Sequence, residues 1–472
     1  MSDDLIYMSA TEALRRFADR SLSPLELLDA QIARAEAVKD PVNALTDCYF
    51  DEARSAARAA ADRWARGAPL GALDGLTVAA KDESYIAGKR TSFGSLITRD
   101  FVPEETSVNN ERIMAQGGII HARTATPEFS CAGVTWSRLW GVTRNPWNPE
   151  MTPGGSSGGS GAALAAGMTT LATGSDIGGS IRIPASCCGL VGYKPPYGRN
   201  PDDPPFNLDF FCHTGPMARS VADTILLQNV MCGPSPRDIA TLYPKLELPT
   251  AYPDLKGWRI ALSMDLGSYV VTEEVRANTR AAARIFRDLG AEVEEIDIGW
   301  GPEVQQACWD YLSHLFGGSM AQLLSEHACD MTPYCRDFAA KAQQSQVTDY
   351  LSALETANAA YRKLGPLLEQ FNALICPTTG IPAVAADYDM TGLEIDGTPV
   401  RPELGWALTT PFNMLSRCPV LQLPSGVAAN GVPTGLQIVG PSYRDAVVFQ
   451  AAMAFETARG SWYQSPETRP AL

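Results

Sequence analysis

Three residues of this sequence are of types, and in settings, that could support nucleophilic catalysis. Ser156 and Ser180 each end a Gly-Gly-Ser turn, and Lys81 closes the apolar run Leu76-Thr77-Val78-Ala79-Ala80. Glycine ahead of a serine opens backbone conformations closed to other residues and lets main-chain N–H groups approach a reacting atom. The two turns therefore offer hydroxyls that read as exposed. A serine hydroxyl is a poor nucleophile until a base removes its proton, and a lysine can be that base only when burial destabilises its ammonium. Lys81 meets that condition if the run before it is a buried strand; taken alone it equally fits a surface lysine with its stem laid on the strand.

Other chemistries of the glycine-rich stretch fit less well. As a flexible linker, residues 153–161 would have polar flanks, yet they lead straight into an Ala-rich apolar segment. An anion-binding loop finds neither G-x-x-x-x-G-K-[ST] in the chain nor G-x-G-x-x-G in this stretch. Gly154-Gly155-Ser156-Ser157-Gly158 matches the nucleophile elbow of an α/β-hydrolase esterase, whose histidine comes late in the chain. Here the histidines are His121, His213, His314 and His327, and a long C-terminal region lacks one.

The surrounding pattern alternates helix and strand, as in an α/β protein. Ser9 and Ser23 each precede a glutamate by three positions, which is capping-box spacing, and a further helix is expected over 51–66; residues 1–66 read as an N-terminal helical layer. Strands are expected at 76–83, where Lys81 ends the apolar part, and at 119–122 after a helix over 107–116. Between the serine turns, residues 160–168 read as a buried helix and 169–174 as a short strand; 195–216 reads as loop. Strand 258–264, a helix from Thr272 and strand 293–298 make a βαβ-like unit, and strands near 373–376, 420–423 and 435–439 follow. Residues 302–370, helical and aromatic, read as an insertion near a substrate cleft. No linker or repeat divides the chain, so residues 1–472 are expected to form one domain.

Composition narrows the partners. A net charge of -15 without clustered Lys and Arg argues against nucleic acid and anionic membrane. Eleven cysteines, an odd number with no C-x-x-C pair, suggest a reduced cytoplasm, with Cys187 and Cys188 as packing residues. The N-terminal residues lack a signal-peptide core, and the longest mostly apolar run, 161–174, is too short and Gly/Thr-rich to span a bilayer.

The chain resembles the amidase signature family. The resemblance rests on Gly154-Gly155-Ser156-Ser157-Gly158-Gly159-Ser160, on Gly174-Ser175-Asp176-Ile177-Gly178-Gly179-Ser180-Ile181-Arg182, and on the 24-residue interval between Ser156 and Ser180. It extends to Val78-Ala79-Ala80-Lys81-Asp82, Thr143-Arg144-Asn145-Pro146-Trp147, Gly215-Pro216-Met217-Ala218-Arg219-Ser220 and Gly431-Val432-Pro433-Thr434-Gly435-Leu436-Gln437. It implies an α/β fold with a large mixed β-sheet core surrounded by helices. It also implies a Ser-Ser-Lys triad in which Ser180 attacks the carbonyl, Ser156, after a cis peptide bond, relays the proton, and neutral Lys81 is the base.

The same resemblance implies an oxyanion hole from the N–H groups of Ile177, Gly178, Gly179 and Ser180. Ser175, Asp176 and Arg182 are expected as supporting residues, and Trp136 and Ser157 as substrate contacts. Nothing calls for a metal or cofactor. The expected activity is hydrolysis of a carboxamide, aryl amide or carbamate through an acyl-enzyme. The rival is the glutaminase component of a tRNA-dependent amidotransferase, in which glutamine is expected where this chain has Ile183. A second copy of the chain, as a homodimer, is the expected protein partner.

Overall fold

A single mixed sheet of eleven strands runs through the computed structural model, which describes residues 3–472. In chain order the strands are β1 (Leu45–Cys48), β2 (Thr77–Lys81), β3 (Ile119–Thr124), β4 (Leu171–Ser175), β5 (Val191–Lys194), β6 (Thr214–Ala218), β7 (Arg259–Leu262), β8 (Glu292–Glu295), β9 (Ala373–Pro377), β10 (Val420–Val427) and β11 (Pro433–Val439). Their spatial order is β1-β3-β2-β4-β6-β5-β10-β11-β9-β7-β8. Neighbours pair in parallel at β2–β3, β2–β4, β7–β8 and β7–β9, and antiparallel elsewhere. This is the large mixed sheet that the family resemblance implied.

Helices cover both faces. α1 (Ala10–Ala18) and α2 (Pro24–Ala37) begin at Ser9 and Ser23, whose side chains accept the backbone N–H of Glu12 and Leu25; at Ser23 the reciprocal bond from the backbone N–H to Glu26 completes a capping box. With α3 (Phe50–Ala65) they form an N-terminal layer that includes one strand, the edge strand β1. Phe17 and Leu27 from this layer are buried with Val78 of β2 and Leu171 of β4. At the other end of the sheet, Phe286 of α6 (Glu273–Asp288) and Phe449 and Phe455 of α10 (Asp445–Arg459) bury against Ile260, Leu421 and Ile438.

Three central elements explain how the glycine-rich stretch is held. β2 is buried along its whole length and sits between two parallel partners, which is why its run is continuously apolar rather than alternating. α4 (Gly158–Ala165) is likewise buried at every position. A Cβ on its Gly159 would lie 2.3 Å from the backbone nitrogen of Ala125, so the small residues let this helix approach the chain just beyond β3. α5 (Arg182–Cys187) follows the second serine turn.

The sequence reading of 195–216 as loop is corrected at its end. β6 starts at Thr214 and includes Pro216, which pairs with Thr173 of β4. Its Gly-Pro composition disfavours a strand locally, and pairing with β4 on one side and β5 on the other overrides that preference. Residues 302–370 contain α7 (Pro302–Leu312), α8 (Pro333–Ala342) and α9 (Val347–Gln370). They cohere through aromatic packing: the rings of Trp309 and Phe338 lie 5.2 Å apart and those of Phe316 and Phe338 5.9 Å apart. Among the described residues, no helix is long and apolar enough to cross a membrane.

Candidate active site

Lys81 is the last residue of β2, and β4, its parallel neighbour, ends beside it at Ser175. The Lys81 Nζ donates to Ser156 Oγ at 2.7 Å and to Ser175 Oγ at 2.8 Å, and lies 3.0 Å from Glu83 Oε2. The side chain is only 1% exposed. Burial lowers the Lys81 ammonium below its ordinary value, and the negative charge of Glu83 opposes that shift without reversing it. The lysine is thus held with two hydroxyls as hydrogen-bond partners and with its neutral form favoured over that of a surface lysine.

The first serine turn carries Ser156 to this lysine. The Gly155–Ser156 peptide bond is cis, as the resemblance implied. Gly155 is required by space, because a Cβ there would lie 2.4 Å from the carbonyl oxygen of Val134. Thr135 Oγ1 donates to the Gly154 carbonyl at 2.9 Å. The Ser157 N–H donates to the Ser180 carbonyl at 3.2 Å, so the two turns are bonded to each other directly. The Ser157 hydroxyl, fully buried, accepts from the Ser175 N–H at 3.3 Å. Ser157 therefore sits between the turns and β4, and it is not among the residues that line the cavity described below.

The second turn is pinned by Asp176. Its carboxylate accepts the Gly179 N–H at 2.9 Å, the Ile181 N–H at 3.2 Å and Asn413 Nδ2 at 2.8 Å, and it pairs with the Arg182 guanidinium at 2.8 Å. Burial alone would raise the Asp176 carboxyl; Arg182, followed by Asn413, holds it below its ordinary value. Arg182 in turn donates to Gln437 Oε1 at 2.6 Å, Asn413 Oδ1 at 2.7 Å and the Thr409 carbonyl at 3.0 Å, which anchors the turn to β11 and to residues 409–413. Thr409 Oγ1 donates to the Gly178 carbonyl at 2.6 Å. With φ of +120°, and with Thr409 Oγ1 only 2.1 Å from where a Cβ would stand, position 179 admits only glycine.

The Gly179 N–H is occupied by Asp176. Among the described residues, the N–H groups of Ile177, Gly178 and Ser180 have no such internal acceptor. These three are free to point at a ligand.

Ser180 is 7% exposed and lines a cavity together with Ile177, Gly178 and the segment Ser130, Cys131, Ala132 and Gly133. The lining is completed by Trp309, Leu312, Phe316 and Phe338 from the helical region and by Glu403 and Leu404. The expectation of two exposed hydroxyls is therefore corrected. Ser156 is fully buried, with Lys81 against its hydroxyl, and Ser180 nearly so, beside residues 130–133 and the helical region.

Trp136 lies elsewhere. Its indole N–H donates to the Tyr388 carbonyl at 3.2 Å and its ring meets Tyr334 edge-on at 4.8 Å, outside the lining of this cavity. Glu83, Thr409, Asn413 and the wall residues Trp309 and Phe338 escaped sequence reasoning as site residues. Only Glu83, two positions past Lys81, and the aromatic content of 302–370 gave any signal. Among the described residues, no group of three or more His, Cys, Asp or Glu could hold a metal ion.

A family model described as Amidase matches residues 26–449. An acylamidase of Rhodococcus erythropolis is 32% identical over 484 residues, which cover 97% of this chain and 96% of the relative. A glutamyl-tRNA(Gln) amidotransferase component of Synechococcus sp. (strain CC9605) is also 32% identical, over 94% of this chain and 95% of its own. Among solved structures, a bacterial aryl acylamidase described as belonging to the amidase signature enzymes superposes with a TM-score of 0.91 at 28% identity, covering 99% of each chain.

Proposed function

The chain belongs to the amidase signature family and is a hydrolase of C–N bonds, and on that premise we propose that it is a serine amidohydrolase acting through an acyl-enzyme on Ser180. The observation that carries the proposal is the 2.7 Å contact from the buried Lys81 Nζ to Ser156 Oγ, because the turn of Ser156 is directly bonded to that of Ser180. In this reading neutral Lys81 takes the proton of Ser156, Ser156 takes that of Ser180, and Ser180 Oγ attacks the carbonyl carbon. The oxyanion is received by the N–H groups of Ile177, Gly178 and Ser180, with Gly179 kept in place by its bond to Asp176. Collapse expels the amine, which leaves with the proton returned through Ser156. Water then attacks the ester by the same route and releases the acid.

The residues around Ser180 support one substrate class over the others. Trp309, Phe316 and Phe338 line the same cavity as Ser180, which supports an aryl amide or aryl carbamate over a small aliphatic amide. The resemblance to an aryl acylamidase structure points the same way. The glutaminase reading draws on the amidotransferase relatives, but Ile183 stands where glutamine is expected in that subgroup. The eleven cysteines, none of them in a disulfide, support a reduced compartment such as the cytoplasm.

Assay of the purified chain on matched anilides, aliphatic amides, aryl carbamates and glutamine tests the proposal. Turnover of anilides or aryl carbamates is expected, abolished by Ser180→Ala. Hydrolysis of glutamine alone would replace the reading with the amidotransferase one.

A further inference from the structure

Besides Ser156, Lys81 contacts Ser175 and Glu83, and of these Glu83 carries a charge. Glu83 Oε2 lies 3.0 Å from its Nζ, on a side chain only 19% exposed, and the same oxygen accepts the Ser130 hydroxyl at 2.5 Å. Ser130 is a residue of the cavity wall beside Ser180. Its backbone is left-handed, with φ of +58°, and so is that of Phe129 at +48°. Serine and phenylalanine rarely adopt this conformation, so it persists where surrounding bonds enforce it. Here the Ser130 hydroxyl is fixed by Glu83 and by Thr126 Oγ1 at 2.9 Å. A second chain of contacts therefore leaves the lysine, running Lys81–Glu83–Ser130 to the cavity, separate from the Lys81–Ser156 contact.

The charges around this pair favour such a role. Lys81 is faced by Glu83, by Asp176 of the second serine turn and by Cys212. Glu83 is itself faced by Asp202, Asp203 and Cys212 from the loop before β6, and by Arg123 of β3. Of these, Glu83 alone combines a carboxylate with an ion-pair distance to the lysine. When the lysine receives a proton from Ser156, a buried ammonium forms, and the adjacent carboxylate offsets its charge.

We propose that Glu83 is a positioning residue for Lys81: its carboxylate holds the Nζ beside Ser156, balances the ammonium formed when the proton arrives, and through Ser130 ties that arrangement to the wall of the cavity. The proposal rests on Lys81 being the base. No atom of Glu83 enters the bond changes; the proton travels from Ser180 through Ser156 to Lys81 and returns by that route to the leaving amine.

The test is the pH dependence of kcat/KM for an anilide, measured on the full chain and its variants. Glu83→Gln keeps an acceptor but removes the charge, so the acidic limb should move to lower pH by about 1 to 3 units, the range expected for an opposite charge at this distance. Its plateau rate should fall about 10-fold or more as the base weakens. Glu83→Asp, which restores the charge, should return the limb toward that of the parent. A purely structural role would lower the plateau in both variants without moving the limb.

Should Glu83→Gln fail to fold, Glu83→Ser, which leaves room for water, reads the same limb with the same expected direction. An unmoved limb in a folded charge-removing variant overturns the proposal. Substantial activity in Lys81→Met would instead overturn the underlying assignment of the base, so the two failures are distinguishable.

Discussion

The Nζ of Lys81 lies 2.7 Å from the Oγ of Ser156, a residue 75 positions away, and it does so inside the protein at the end of a strand buried along its whole length. Burial and a serine partner together are what convert a lysine into a base. Replacing it with methionine keeps the stem's packing and removes the proton acceptor. Lys81→Met should lower kcat for an anilide by about 10³-fold or more, with a folded protein by circular dichroism, and Ser156→Ala should be comparably severe because a relay acts as a unit. A loss below tenfold in either would argue against the relay.

The direction of the Lys81 shift fixes the sign of the pH effect. Burial lowers its pKa below the ordinary 10.5, so the neutral form is reached at lower pH than in an exposed lysine. Acidification protonates Lys81 and removes the base. With chemistry rate-limiting, kcat/KM should rise with pH, with its midpoint below 10.5. A rate independent of pH on the acidic side would contradict the assignment.

Asp176 is expected to matter for stability as much as for rate. Asp176→Asn would leave the buried Arg182 guanidinium without its carboxylate, a loss of roughly 3–5 kcal/mol for a broken buried pair. It would also weaken the bond that holds the Gly179 N–H. Thermal unfolding should shift clearly downward, and the residual folded enzyme should lose kcat more than it raises KM.

The aromatic residues beside Ser180 are expected to set substrate preference. Phe338 lines the cavity and packs on both Trp309 and Phe316. Phe338→Ala should raise KM for anilides by about tenfold, a modest part of the energy of a buried aromatic contact. Aliphatic amides should be much less affected, which a comparison of kcat/KM across the two substrate series would show.

Much of the fold and site was legible in the sequence because it is local. Lys81 at the end of an apolar run, the two Gly-Gly-Ser turns, the Ser9 and Ser23 helix starts and the βαβ pattern of 258–298 all follow from short-range rules, and the motif order carried the family. What was not legible depends on pairing and packing across the chain. Strand β6 is held by its neighbours against its own Gly-Pro composition, and Val191–Lys194 was not identified as a strand. Asn413 and Thr409 meet the Asp176 turn from more than 230 residues away. The two serine hydroxyls, which a reading of the turns alone presents as exposed, are likewise buried beside residues from elsewhere in the chain, Lys81 at Ser156 and Trp309, Leu312 and Phe338 near Ser180.

The central claim is that Ser180 carries the acyl group. Incubating the protein with a slowly deacylating aryl carbamate, followed by mass spectrometry of the digested chain, tests it most directly. A mass increase equal to the acyl group is expected on the peptide containing Ser180, and is expected to be absent in Ser180→Ala. An adduct on Ser156 or another residue, or turnover of the carbamate by Ser180→Ala at the parent rate, would contradict it.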